Sequence, residues 1–349
     1  MQHILLCGPA ATTVTAPFPT DPNATPAARA LWNYLDGLKS RTTNKVLSGQ
    51  RWLDYNTRIA AATGKWCALL NLAGSNIDRG TWAGYLNDTT AQRIQMTDWW
   101  TAGGIPLWEI SLRDPVSQGV LGAGAVPIIT AAQADLILTE GHAYNTNLKF
   151  MLNRQISLLL ALQAAGVAVL GRMFHEHNGS GFWFLDNPRL PQLFRYCRQH
   201  IIDAGVHNVL WTHNVSDWAG SGTQGPPSDP NQYLQFYAGD DVTDILSFDV
   251  YEDGADFSAG AFGAYDHFVS AGKRQPIIFW EAGVKKAYTD TTRVDLRKII
   301  RGIRDHGPNI VGWSCWSVTW SMDPAYNNNV AELLADPWVI TRDEVPSFS

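Results

Sequence analysis

Six times along the chain a helix-like segment ends in glycine and a β-rich run begins within a few residues. Gly64 leads into KWCALLNL, Gly104 into IPLWEISL, Gly166 into VAVLGRMF, Gly205 into VHNVLWTH, Gly272 into KRQPIIFW and Gly307 into PNIVGWSCW. Glycine just past a helix adopts the left-handed conformation without a Cβ clash, so it marks helix ends. The runs are continuous and apolar rather than alternating, as strands covered on both faces should be. Two more runs, KVLSGQ at 45–50 and DILSFDVY at 244–251, have the same character and bring the strands to eight. Helical stretches at 26–40, 88–102, 142–164, 191–203 and 291–305 alternate with them. Eight such units predict an α/β fold, a single (β/α)8 barrel. An open doubly wound sheet would call for a GxGxxG turn after its first strand, and none is there. No linker-like or repetitive segment divides the chain, so we expect an N-terminal extension over 1–25 and one barrel domain over 26–349. The Gly/Pro-rich stretch 219–230 follows the fifth strand, where a barrel keeps its functional loops.

Composition narrows the ligand. With 26 Lys plus Arg against 32 Asp plus Glu, the formal charge is −6. That balance argues against nucleic acid and against a polybasic membrane surface. Only 17% of residues are charged, while 15 of the 349 are Trp. Such a chain has either an unusually aromatic core or rings facing a flat, polar, uncharged ligand. Cys7, Cys67, Cys197 and Cys315 lie far apart without a zinc-type cluster, and any disulfide stays open. The opening MQHILLCGPAATTVTAP lacks the basic start of a signal peptide and is too short to span a membrane.

In a barrel, chemistry belongs at the C-terminal ends of the strands. The fourth strand ends Arg172-Met-Phe-His175-Glu176-His177-Asn178-Gly179, and the sixth ends Ser247-Phe-Asp249-Val-Tyr251-Glu252. The seventh ends Trp280-Glu281-Ala-Gly283, and the eighth Trp313-Ser-Cys-Trp316-Ser317. Glu176 and Glu281 each close a buried strand, three strands apart. Two carboxylates across a barrel mouth suit glycoside hydrolysis: one protonates the leaving oxygen, the other attacks the anomeric carbon or activates water. The alternative is a pair of ordinary mouth carboxylates matched with Arg or Lys. His175-Glu176-His177 offers another reading, since HxH on a strand puts two imidazoles on one face as metal ligands. Later strand ends supply only His213 as a further imidazole, so we expect no metal.

These blocks resemble glycoside hydrolase family 26, the β-mannanase-type branch of the retaining (β/α)8 glycosidases. The carriers are Gly171-Arg-Met-Phe-His-Glu-His-Asn-Gly179, the run Gly239-Asp-Asp-Val-Thr-Asp-Ile-Leu-Ser-Phe-Asp-Val-Tyr251, and Trp280-Glu281-Ala-Gly283. Leu47-Ser48-Gly49-Gln50 and Thr63-Gly64-Lys65 resemble its opening segments. The resemblance implies that Glu176 is the acid/base, Glu281 the nucleophile, Tyr251 a donor to Glu281, and Trp316 the floor of the sugar subsite. Apolar neighbours such as Phe174 and Phe182 would raise the acid's pKa by desolvation. Arg172 reads as structural, deeper in the barrel. His175, Asn178, Trp183, Asp249, Ser111, His213 and Trp280 are expected around the substrate. Two departures concern the sugar walls. Where the family has Trp-His at the third strand end this chain has Ile110-Ser111, and the Trp expected soon after Asn178-Gly179 is Gly181.

The expected activity is therefore endo-acting, retaining hydrolysis of a β-glycan, with β-mannan first. A β-1,3-xylan, a mixed-linkage glucan or a bacterial exopolysaccharide remain alternatives, as does a carbohydrate-binding barrel without catalysis. No nucleotide or flavin motif appears, so no cofactor is expected, and a monomer is the default. A polysaccharide partner suggests an extracellular setting. Trp280, Trp313, Trp316, Trp183, Trp211 and Trp218 are placed to face sugars, whereas Trp32, Trp99 and Trp100 fall in helical stretches as packing.

Overall fold

The computed structural model describes residues 18–74, 82–119, 127–179, 181–217, 232–253, 257–287 and 289–348. The stretch 219–230 and Trp218 lie outside the described residues, as does Cys7. The first barrel strand comes in two halves, β1 (Val46–Leu47) and β2 (Gly49–Arg51). It is followed by β3 (Leu69–Ala73), β4 (Ile105–Ile110), β5 (Val169–Met173), β6 (Val209–Ser216), β7 (Ile245–Glu252), β8 (Ile277–Val284) and β9 (Ile310–Cys315). Neighbours pair in parallel, and β9 bonds both β8 and the β1/β2 strand, which closes the barrel. A short β10 (Val339–Ile340) adds to β1 from outside. The fold is a single (β/α)8 barrel.

The surrounding helices are α1 (Pro26–Leu38), α2 (Leu53–Thr63), α3 (Thr90–Thr101), α4 (Ala131–Leu138) and α5 (Ala143–Ala164). They continue with α6 (Leu190–Asp203), α7 (Gln232–Gln235), α8 (Gly263–Ser270), α9 (Arg297–His306) and α10 (Val330–Leu334). Gly64, Gly166, Gly205 and Gly272 hold the left-handed conformation at helix ends. Gly307 does not. Its role is steric, because a Cβ there would lie 2.7 Å from the Phe262 ring. The helix expected from 291 starts at Arg297. Before it the chain runs alongside 327–328, with Asn328 N–H bonded to the Val294 carbonyl, so its backbone is committed elsewhere.

Residue parity divides the barrel interior into storeys. Inward positions begin apolar, with Leu69, Leu107, Leu170, Leu210, Ile245 and Ile278 in one buried cluster. Ala28, Leu31, Leu35 and Leu38 of α1 belong to the same cluster, so α1 plugs the N-terminal end. Thr25 caps that helix through its side chain, with Pro26 in the first turn. Residues 18–25 also pack here: Phe18 stacks on Trp32 at 5.0 Å, and Thr25 N–H bonds the His207 carbonyl. Further along, the same face turns polar: Asn71, Glu109 and Arg172 come two residues on, Asn214 and Asp249 four residues on, and Ser314 of β9 joins them, all buried.

One irregularity re-aims a side chain. Phe248 pairs with Phe279, but the next residue, Asp249, pairs with Glu281, so Trp280 is an extra residue in β8. Such a bulge breaks the alternation of faces. Trp280 sits in the inner cluster and Glu281 also reaches the interior, where Arg172 meets it.

Most of the tryptophans expected at sugar faces are core residues. Trp211 and Trp313 have outward parity and are buried among the helices. Trp183 is fully buried, its indole N–H donating to the Leu112 carbonyl at 2.7 Å. Trp280 lies inside the barrel beneath the polar storey, its ring 5.0 Å from the Arg172 guanidinium. Cys67, Cys197 and Cys315 are buried thiols. Among the described residues no helix is long and apolar enough to cross a membrane.

Truncating Trp280 to Ala should cost about 3–5 kcal/mol of stability, as for other large buried aromatics. Urea denaturation measures it, and an unchanged midpoint would contradict the placement of this ring inside the barrel.

Candidate active site

Arg172 is fully buried and reaches three carboxylates. Its Nη1 donates to Asp249 Oδ2 at 2.7 Å, and its Nη2 to Glu281 Oε1 at 2.6 Å and Glu109 Oε2 at 3.2 Å. Glu109 Oε2 also accepts from Arg51 Nη1 at 3.1 Å, and its Oε1 from the Ser111 hydroxyl at 3.0 Å. Burial opposes the Glu109 charge, but His175 and the Arg51 and Arg172 guanidiniums outweigh it and hold this carboxyl well below the ordinary range. His175 is itself pushed down to about 3 by burial, so the guanidiniums supply the positive charge near neutral pH. Burial and the neighbouring Glu281 push Asp249 up, against the pull of Arg172. Asn214 holds the other Asp249 oxygen at 2.9 Å.

Above this layer Glu281 Oε2 accepts the Tyr251 hydroxyl at 2.8 Å. Burial and the Glu281 charge raise Tyr251 well above an ordinary phenol, so it remains a donor across working pH. Gly283 gives it room, since a Cβ there would stand 3.0 Å from the Tyr251 ring. Glu176 arrives from a tight turn after β5. Phe174 and Glu176 both have positive φ, at 51° and 47°, uncommon for such residues. Asn214 Oδ1 accepts the Glu176 N–H at 2.8 Å, and the Gly179 N–H bonds the Glu176 carbonyl at 2.7 Å. Asn178 and Ser216 exchange two further bonds, lashing the turn to β6.

Glu176, Glu281, Tyr251 and Trp316 line one cavity of about 280 Å³, together with Lys285, Lys286 and Trp320. Trp316 is fixed from behind: Arg51 stacks 3.4 Å from its ring centre, and Gln50 donates to its carbonyl. The other expected site residues lie around this cavity rather than on it. Asp249 and Ser111 belong to the Arg172–Glu109 network, and His175 packs on Phe182 with ring centres 4.3 Å apart. His213 is a correction. Odd positions of β6 face outward, and its ring bonds the Tyr233 carbonyl at 3.0 Å among Tyr237 and Phe268. Asn178, Trp183 and Trp280 are likewise structural by their contacts. The two imidazoles of HxH diverge, His175 towards Glu109 and His177 towards His213 and Phe236. Among the described residues no three His, Cys, Asp or Glu are grouped to hold a metal.

The profile of glycosyl hydrolase family 26 matches residues 20–344. The chain belongs to that family. Family 26 membership makes it a retaining glycoside hydrolase. A mannan endo-1,4-beta-mannosidase of Bacillus subtilis (strain 168) is 27% identical over 350 residues, 94% of this chain and 89% of the relative. One from Thermothelomyces thermophilus is 26% identical over 360 residues, covering 94% of this chain and 63% of its own. A solved Bacillus subtilis mannanase superposes with a TM-score of 0.79 at 25% identity, over 94% of this chain and 96% of the other.

Arg51, Glu109, Lys285, Lys286 and Trp320 were not among the residues singled out from sequence. For Glu109 a signal existed: a charge inside the apolar run IPLWEISL, at an inward position of β4.

Arg172→Met should cost about 3–5 kcal/mol, because it strands buried carboxylates without a counter-charge. Thermal unfolding checks this, and a loss under half a kcal/mol would refute the network. A second expectation concerns acid. Burial holds His213 down to about 4 and His175 to about 3, below the ordinary 6.5. The unfolded chain then takes up these protons first, so stability is complete above pH 6.5 and lost as pH falls towards 4. His213→Phe should make this limb shallower, read from denaturant midpoints between pH 7 and pH 4. An identical slope would contradict it.

Proposed function

We propose that the chain hydrolyses internal linkages of a β-mannan-type polysaccharide by double displacement. Glu281 attacks the anomeric carbon while Glu176 protonates the departing oxygen, giving a covalent glycosyl-enzyme and a free chain end. Glu176 then takes a proton from water, which displaces Glu281 and restores the starting configuration. Trp316 lies under the reacting sugar, whose C–H face packs on the indole. The observation that carries this reading is the setting of Glu281. Arg172 at 2.6 Å and Tyr251 at 2.8 Å bind its two oxygens separately, which fixes its direction in the cavity shared with Glu176. Supporting it are the names of the relatives, mannan endo-1,4-beta-mannosidases from several organisms. A polymeric substrate suits action outside the cell.

Glu281→Ala should abolish mannan hydrolysis. Glu176→Ala should slow it about 10²–10⁴-fold, with much smaller losses on aryl glycosides whose leaving groups need little protonation. Reducing-end assays on mannan, xylan and mixed-linkage glucan measure both rate and preference. Wild-type rates in Glu281→Ala, or cleavage of xylan or glucan in preference to mannan, would overturn the proposal.

A further inference from the structure

Gln50 is fully buried on β2, and its backbone already pairs with Cys315 of β9 at the seam that closes the barrel. Its side-chain amide turns to the chain beyond that seam. Nε2 donates to the Trp316 carbonyl and, at 3.0 Å, to the Arg51 carbonyl, while Oε1 accepts the Met322 N–H at 2.8 Å. One amide thus ties both ends of the segment 316–322, which follows β9 and carries Trp316 and Trp320 to the catalytic cavity.

Between those ends the backbone is held in a costly shape. Val318 has φ 53°, rare for a β-branched residue. Such a conformation persists only where its surroundings over-determine it. The Ser321 N–H and hydroxyl both donate to the Val318 carbonyl, at 3.0 and 2.7 Å. Asn327, also buried, donates to the carbonyls of Thr319 at 3.0 Å and Ser321 at 2.8 Å. At the far end Trp320 stands edge-on to Tyr251, ring centres 6.4 Å apart.

An indole holds a sugar by dispersion contact with its C–H face, and a gap of about 0.5–1 Å forfeits roughly a quarter to a half of each contact. The placing of these rings therefore sets how well they bind. Strand pairing closes the barrel through the backbone, whereas the Gln50 amide spends its bonds on the loop. We infer that Gln50 is the positioning residue of the sugar platform. By tying both ends of 316–322 it sets the places of Trp316 and Trp320, and with them the affinity for the glycan. The chemical step does not pass through it, because Glu281 is held by Arg172 and Tyr251. This inference rests on the glycanase reading above.

The test is steady-state cleavage of mannohexaose by variants whose folding is checked by thermal melting. Gln50→Met is similar in length and removes the amide's bonds. Gln50→Glu keeps the acceptor for the Met322 N–H but sets an oxygen against the Trp316 and Arg51 carbonyls. Each should raise KM about tenfold, the cost of orphaning a buried hydrogen-bonding group. Each should leave kcat within about threefold, the pattern of lost uniform binding. Ser321→Ala removes the hydroxyl bond inside the loop and leaves the seam untouched, so it carries the test if neither Gln50 variant folds. Its KM should rise about threefold. A KM within twofold of wild type in the folded Gln50 variants, or a loss confined to kcat, overturns this inference alone. So does an unchanged KM in Ser321→Ala when neither Gln50 variant folds. No cleavage of mannohexaose or mannan by the wild type overturns both it and the mannanase reading.

Discussion

The mouth of the barrel depends on the Arg172 guanidinium. It stands on β5 and binds Asp249 of β7, Glu281 of β8 and Glu109 of β4, and Glu109 passes the connection on to Arg51 of β2. Placing a cation at the centre of a barrel costs several kcal/mol in lost hydration unless carboxylates converge on it. The dependence runs both ways. Without Arg172 the burial that raises Asp249 would be opposed only by the Asn214 hydrogen bond, and Glu281 would lose the partner of one of its oxygens. A residue that reads from sequence as a deep structural arginine is thus also the positioning residue of the proposed nucleophile.

Two devices put that cluster where a substrate can reach it. The first is alternation along the strands. Leu107 precedes Glu109, Leu170 precedes Arg172, and Ile245 precedes Ser247 and Asp249, so each inward face climbs from apolar to charged. The apolar storey and the α1 plug exclude water from below, and the charged storey opens upward. The second device is the bulge in β8. Trp280 and Glu281 are neighbours in sequence and would face opposite sides of a regular strand, yet both reach the interior. The bulky indole fills the barrel while the carboxylate beside it faces the cavity.

Much of this was legible in the sequence. Glycine-ended helices and apolar runs mark the eight units, because helix termination and two-sided burial are local demands. The carboxylates at strand ends stand out against apolar neighbours, and Tyr251 and Trp316 line the cavity with them. What misled was the use of strand ends without facing. Trp211, Trp313 and His213 lie near the mouth in sequence but point outward, and Trp183 turns back into the helical layer. Facing near the mouth also depends on the positive φ at Phe174 and Glu176 and on the β8 bulge, which tertiary contacts impose. Glu109 and Arg51 were legible in principle, as charges within buried strands. Lys285 and Lys286 were not, since a lysine pair after a strand usually reads as solvent-facing.

The central claim is that Glu281, held by Arg172 and Tyr251, forms the covalent bond to sugar. Incubation with a 2-deoxy-2-fluoro mannosyl fluoride or its oligomeric analogue slows the second displacement and allows the intermediate to accumulate. Mass spectrometry of the digested protein then locates the sugar. The account predicts one fluorosugar per chain, on the peptide that carries Glu281, with accumulation lost in Glu281→Gln. A label on any other residue, or unchanged labelling in Glu281→Gln, would contradict it.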